Sequence, residues 1–306
     1  MELISELKKG KRQAIAKAIS IIENNKTESK KLIKKIFKDS GNSIIIGITG
    51  PAGAGKSSLI NKTVLELKKL GILPAILAID PTSHVSGGAI LGDRVRMIES
   101  TDSGTYIRSM ASRGASGAIS HSIRNSIRVL EYAGFNPIII ESVGAGQTEI
   151  EISNIADITV VVFNPNTGDS IQTIKAGLTE IGDVYIVNKS DLDGASQLYD
   201  AVQYYIGDTS SDKITILKTS TKTNEGISKF AKKIKELMKE KQKTKKEKEK
   251  QRLGSELKDI ILNNIKGKID LMLDNKTHDK YLKLVQSKKM TPLDAADKIT
   301  KSIIKD

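Results

Sequence analysis

The residues Gly50-Pro51-Ala52-Gly53-Ala54-Gly55-Lys56-Ser57-Ser58 satisfy the spacing G-x-x-x-x-G-K-[ST]. The apolar run Ser43 to Ile48 precedes them, and a helical pattern from Leu59 to Leu70 follows. A glycine-rich turn between a buried strand and a helix N-terminus points backbone N–H groups at an anion, and the helix dipole adds to the attraction. In that arrangement Lys56 reaches the β- and γ-phosphates of a nucleotide, and the Ser57 hydroxyl serves Mg²⁺. A glycine turn that merely carries a lysine would not need this flanking strand and helix.

A second group lies about 130 residues further on, after another apolar run. Asn188-Lys189-Ser190-Asp191 has the form N-K-x-D. The Asp191 carboxylate can accept from guanine N1–H and the 2-amino group, a pair that adenine does not offer. Asn188 would bond the phosphate loop and the base edge, and the Lys189 stem would stack on the ring. Ser220 and Thr221, after the next apolar run, stand where a loop would contact the guanine carbonyl. Glu141-Ser142-Val143-Gly144 ends a further strand in the manner of D-x-x-G: Glu141 can hold a water of Mg²⁺ and the Gly144 N–H can bond a γ-phosphate. Loss of that phosphate would release the loop, making 141–150 a switch candidate. Ala145 follows Gly144, and Gln147 comes two places later, so no water-orienting glutamine is in register and unaided hydrolysis should be slow. Asp80 and Asp93 bracket a glycine-bearing loop, and their oxygens suit hard Mg²⁺. The three histidines are scattered, and with no cysteine there is no thiolate metal site.

The elements that must position these groups follow from composition and periodicity. The chain has 306 residues, 38% hydrophobic and only 4% aromatic, so Ile, Leu and Val fill the core. No apolar run approaches the ~18 residues of a membrane span, and the N-terminus lacks a signal-peptide core, so a cytoplasmic protein with no membrane partner is expected. The net charge of +13 is uneven: residues 1–41 carry +6, 42–228 carry −4, 229–252 carry +8 and 253–306 carry +3. The basic excess therefore lies outside the nucleotide segment, and lysines interleaved with glutamates read as a solvated helix face rather than a nucleic-acid site.

Helical spacing runs through Leu3, Leu7, Ala14, Ile15, Ala18, Ile19 and Ile22, then through Leu32, Ile33, Ile36 and Phe37, predicting two helices before the first strand. Strands are predicted at 72–79, 105–107, 137–140, 158–163, 184–187 and 214–217, in alternation with helical stretches, the pattern of a parallel α/β sheet. Ligands gather at the carboxyl ends of such strands, and every motif above falls there. Residues 224–265 form a long helical stretch whose charged middle, Lys239 to Lys250, should leave the domain as an arm. Thr291 and Pro292 are placed as N-cap and first residue of a last helix. The expected organisation is 1–41 as N-terminal helices, 42–228 as the nucleotide domain and 229–306 as the helical arm.

Four stretches together carry a family resemblance: Asp80-Pro81-Thr82-Ser83, Ser86 to Met97, Ile107 to Gly114, and Glu141 to Glu149. With Ala14 to Ser20 near the start and Thr291 to Ala296 near the end, they resemble the methylmalonyl-CoA mutase-associated GTPases of the MeaB/ArgK type, chaperones of an adenosylcobalamin enzyme. The resemblance implies a P-loop GTPase with a mainly parallel sheet flanked by helices, an N-terminal helical segment and a C-terminal dimerisation arm. It implies GTP and GDP as bound nucleotides and roles for Ser57, Asp80, Asp93 and Glu141 around Mg²⁺. It further implies a homodimer and a partner mutase, methylmalonyl-CoA mutase or a relative acting on another acyl-CoA, that accelerates hydrolysis. A third mobile loop is implied at Asn164 to Gln172, leading to Lys175, which joins Lys56, Glu141, Gly144 and Asp93 as a group acting in hydrolysis. Relatives carry an acidic residue where Ser170 stands and proline-glycine where Pro165-Asn166 stands. Three rival readings are a nickel-insertion GTPase, which would want Cys or clustered His; a protein kinase, which would want H-R-D-x-x-x-x-N; and an RNA- or membrane-targeting GTPase resting on the basic arm.

Overall fold

A computed structural model of the chain describes residues 2–80, 104–111, 121–142, 152–165, 180–207, 214–272 and 275–304. Seven strands make one sheet: β1 (Ile45–Thr49), β2 (Ala75–Asp80), β3 (Tyr106–Ala111), β4 (Ile138–Glu141), β5 (Ile158–Phe163), β6 (Val184–Asn188) and β7 (Thr215–Thr219). Their order is β3-β2-β4-β1-β5-β6-β7, and every pairing is parallel. β1, β4, β5 and β6 are buried along their whole length. That is why they read as unbroken Ile/Val runs rather than alternating ones: helices cover both faces. The expected third strand, 105–107, extends to Ala111, so Arg108 lies within it, where its guanidinium pairs with Glu23.

The side chains of β1 divide between the two faces. Ile45 joins a cluster with Leu77, Ile138, Ile140 and the helices α1 (Glu2–Lys8), α2 (Arg12–Asn24) and α3 (Lys26–Ile36). Ile46 and Ile48 join the opposite cluster with Leu59, Ile60 and Val64 of α4 (Lys56–Lys69). Gly47 faces a helical turn at 152–155 so closely that a Cβ there would lie 2.5 Å from Ile152 Cγ2. The N-terminal segment comprises three helices rather than two. Gly10, at φ 67°, ends the first, and Asn25 caps the third by accepting from Glu28 N–H at 3.1 Å. These helices share the core of the sheet, with Leu7, Ile15, Ile19 and Ile36 fully buried, and pack on α5 (His121–Tyr132). Further along the same face of the sheet, the strand positions Val161, Phe163, Tyr185 and Val187 pack on α6 (Ala195–Gly207).

The long helix α7 (Ile227–Met272) departs from the solvated arm that its charged middle suggested. Ile227, Phe230, Ala231, Ile234 and Leu237 are buried against the sheet. Beyond them, two lysines one turn apart reach the N-terminal edge of the strands. Lys241 Nζ meets Asp183 Oδ1 at 2.6 Å, while Asp183 Oδ2 accepts the Thr159 N–H at 2.8 Å. Lys245 Nζ meets Asp157 Oδ2 at 2.7 Å, and that oxygen also accepts the Ile45 N–H at 2.8 Å. Each aspartate thus satisfies an amide at the start of a neighbouring strand and a lysine of α7. The Lys245 and Asp157 side chains are only 5% and 2% exposed. A buried charge keeps its place only when paired and hydrogen-bonded, so the charged middle is held on the sheet. One compact unit accordingly spans Met1–Glu249.

The second unit, Lys250–Asp306, holds the rest of α7 with α8 (Asn275–Gln286) and α9 (Pro292–Ile304). Thr291 caps α9, its hydroxyl accepting from Asp294 N–H at 3.1 Å and donating to the Asp294 carboxylate at 2.6 Å, with Pro292 as the first helical residue. Among the described residues no helix is long and apolar enough to cross a membrane.

Lys245→Met leaves the Asp157 carboxylate buried without its cation and should cost about 3–5 kcal/mol. Urea unfolding of the full chain measures this, and a loss below about 1 kcal/mol would refute the buried pair as a tie between α7 and β1.

Candidate functional site

The loop 50–55 joins β1 to α4 at the carboxyl edge of the sheet. Gly50, Gly53 and Gly55 have φ of 139°, 77° and 86°. A Cβ at Gly50 would lie 2.1 Å from the Val162 carbonyl oxygen, and one at Gly55 would lie 2.4 Å from Asn188 Nδ2. Both the backbone region and the space therefore demand glycine. Gly55 is the N-cap of α4 and has no side chain to cap with, so the first-turn amides of the helix remain directed at whatever the loop encloses. Lys56 is buried and folds back over the loop, with Nζ donating to the carbonyls of Gly50 at 2.7 Å and Pro51 at 3.0 Å. A buried cation fixed over a glycine loop at a helix N-terminus is a cradle for a polyphosphate.

Beside it, Ser57 Oγ donates to Glu141 Oε1 at 2.6 Å, and both residues are buried. Glu141 reaches this point because β4 lies next to β1, in the register Ile48↔Glu141. Ser142 Oγ donates to Thr49 Oγ1 at 3.1 Å and ties the same two strand ends. Two oxygens of this kind, side by side and away from water, are the donor type that Mg²⁺ prefers.

The base-reading side is built by β6 and β7. Asn188, 1% exposed, donates from Nδ2 to the Ala54 carbonyl at 2.9 Å, while its Oδ1 accepts from Thr219 Oγ1 at 3.0 Å. Asn188 thus joins three segments, whereas its spacing alone suggested contact with the loop and the base edge. Lys189 follows at φ 58°, a left-handed turn that sets the direction of the next residues. Ser190 N–H donates to the Thr219 carbonyl at 3.0 Å. The Asp191 carboxylate, which is exposed, accepts from Ser220 Oγ at 2.6 Å. That hydrogen bond, aided by Lys222 and Lys189, holds the Asp191 carboxyl below its usual range, so it is ionised throughout the neutral range. Ser220 Oγ accepts in turn from Thr223 N–H at 3.2 Å, and Ser220 N–H donates to the Glu225 carbonyl at 3.0 Å. An exposed, anionic carboxylate held in place by Ser220 is suited to accept from a pair of coplanar N–H donors.

Of the residues singled out in the sequence, Gly50 through Ser58, Glu141, Asn188, Lys189, Asp191, Ser220 and Thr221 all lie on this one edge. Asp93, Gly144 and Lys175 lie outside the described residues, as does the side chain of Asp80, whose backbone closes β2. Two polar residues at the edge take partners that the motifs did not give them. Thr219 holds Asn188. Asn164, fully buried at the end of β5, donates from Nδ2 to the Gly53 carbonyl at 3.1 Å. A buried-strand pattern ending in a polar residue at the ligand edge was the available signal for Asn164.

Comparisons with known proteins agree with this geometry. The family model described as methylmalonyl Co-A mutase-associated GTPase MeaB matches residues 15–272. A Pyrococcus abyssi protein described as a GTPase is 41% identical over 313 residues, covering 99% of this chain and 96% of that protein. The GTPase ArgK of Escherichia coli is 34% identical over 209 residues, covering 67% of this chain and 63% of its own length. Among solved structures, one described as a LAO/AO transport system kinase superposes with a TM-score of 0.71 at 22% identity, covering 99% of this chain and 96% of its own; that likeness concerns the fold. With the phosphate cradle, the ionised Asp191 and a family match over most of its length, the chain belongs to the methylmalonyl-CoA mutase-associated MeaB family of GTPases and is itself a GTPase, hydrolysing GTP to GDP and phosphate.

Proposed function

We propose that this GTPase is a chaperone of an adenosylcobalamin-dependent acyl-CoA mutase, methylmalonyl-CoA mutase or a close relative, whose cofactor loading it gates and whose inactivation it prevents. The family match over residues 15–272 carries this reading. In it, the amides of loop 50–55, the first turn of α4 and Lys56 hold the phosphates, and Asn188, Lys189, Asp191, Ser220 and Thr221 hold the guanine. The adjacent Ser57 and Glu141 oxygens fit Mg²⁺, with Asp80 and Asp93 as the further carboxylates and Gly144 and Lys175 acting from the neighbouring loops. Mg²⁺ bound there would offset charge on the β- and γ-phosphates. Water attacks the γ-phosphorus as the bond to the bridging oxygen breaks, and the charge that develops is met by Lys56 and the loop amides. No water-orienting glutamine follows Gly144, since Ala145 stands there. That gap suits a site whose turnover waits for a partner to complete it. The reading includes a homodimer formed through 229–306. In its support, Leu257, Ile261 and Ile265 recur at four-residue spacing on α7 and are 60%, 48% and 49% exposed, an apolar stripe fit for a second helix.

Immobilised protein carrying GDP or a non-hydrolysable GTP analogue should capture the mutase in one nucleotide state, and added mutase should raise the GTPase rate; failure of both removes the chaperone reading. Asp191→Asn should weaken GTP by roughly 10- to 100-fold and improve xanthosine triphosphate, because an amide mispairs with guanine but accepts the xanthine edge. Unchanged GTP affinity would exclude Asp191 as the base reader. Light scattering at micromolar concentration should report twice the mass of 33.3 kDa, and a monomer would contradict the dimer.

A further inference from the structure

Asn164 does more than end a strand. In β5, Val160 and Val162 face α4 while Val161 and Phe163 face α6. The alternation returns residue 164 to the α4 side, where the phosphate loop begins. Pro165 follows, and a residue before proline is confined to extended backbone, so the strand direction persists through Asn164. Phe163 anchors the preceding position, stacked on Tyr185 with ring centroids 6.4 Å apart. The Asn164 amide is thereby delivered, with no exposed surface, to the Gly53 carbonyl at 3.1 Å. One peptide further along, the Asn188 amide from β6 takes the Ala54 carbonyl at 2.9 Å.

Two consecutive carbonyls of the loop are therefore drawn outward by two buried amides from adjacent strands. In a trans peptide the N–H points opposite to the C=O, so the Ala54 and Gly55 amides of those two planes turn inward. The Ala54 N–H closes the turn onto the Pro51 carbonyl at 3.2 Å, and the Gly55 N–H faces the concave side of the loop. Flipping either peptide would cost one of these buried hydrogen bonds, and glycines on both sides make such flips otherwise easy.

We propose that Asn164 is a positioning residue for the nucleotide phosphates: it fixes the Gly53–Ala54 peptide, whose N–H closes the turn onto Pro51, and with Asn188 holds the loop in the form that aims the Gly55 N–H at a β-phosphate. This rests on the reading of the loop as the GTP site. Asn188 is braced by Thr219 as well as by the loop, and Asn164 by its place at the end of β5.

The test compares full-length wild type, Asn164→Ala and Asn164→Leu by competition of GMP, GDP and GTP against a fluorescent GDP. Thermal unfolding is recorded for each protein. Leu keeps the volume and removes the donor, and Ala removes both. GDP and GTP should weaken about tenfold in both variants, the effect of one lost buried hydrogen bond. GMP, which lacks a β-phosphate, should change less than about twofold. Retention of wild-type GDP and GTP affinity in Asn164→Leu, or in Asn164→Ala should the Leu variant not fold, overturns the proposal. Equal weakening of all three nucleotides also overturns it, because it marks Asn164 as support for the whole edge. Absence of guanine nucleotide binding by the wild type defeats the underlying reading instead, and is seen before any variant is made.

Discussion

The carboxyl edge depends on a steric fact: a backbone loop lies against the ends of two strands with no room for a side chain between them. Gly50 sits beneath the Val162 carbonyl and Gly55 beneath the Asn188 amide, at distances that no Cβ could occupy. This closeness lets side chains of β5 and β6 hydrogen-bond the loop carbonyls, and those bonds set the direction of the loop amides. The loop is thus preorganised by the sheet. Donors that are aligned before the anion arrives need no reorganisation when it does.

The opposite edge of the same strands is organised by charge. Asp157 and Asp183 each satisfy a leading strand amide and a lysine of α7, a buried use of carboxylates that depends on all partners being present at once. At one end of β1 is the nucleotide cradle; at the other is the tie to the helix that continues into the second unit. The segment 45–49 that positions the phosphate loop is therefore the segment that α7 grips. Glu131 adds to this end by accepting the amides of Gly41 and Ser43 at 2.8 and 3.3 Å, with burial pushing its carboxyl upward.

Much of this was legible beforehand, for identifiable reasons. β5 was located to the residue because a doubly covered parallel strand is an apolar run bounded by polar residues. The phosphate loop and the guanine reader were legible because each packs its chemistry into a few contiguous residues. The N-terminal helices were visible as periodicity, but their break at Gly10 and their merger with the sheet core were not. Periodicity reports that a face is buried without saying against what. The charged stretch of α7 misled because a lysine facing water and a lysine facing Asp157 are the same letter.

By itself, then, the sequence determined everything encoded over short distances: where glycine permits a left-handed loop, which helix carries a threonine cap, which four residues can read guanine. The tertiary structure alone decided which distant groups complete them. Asn164 and Gly53 are 111 residues apart, Asn188 and Ala54 are 134 apart, and Lys245 and Asp157 are 88 apart. Hydrogen bonds and close approaches of that span leave no periodic trace along the chain, because they exist only once the sheet order β4-β1-β5-β6 has brought the strand ends side by side.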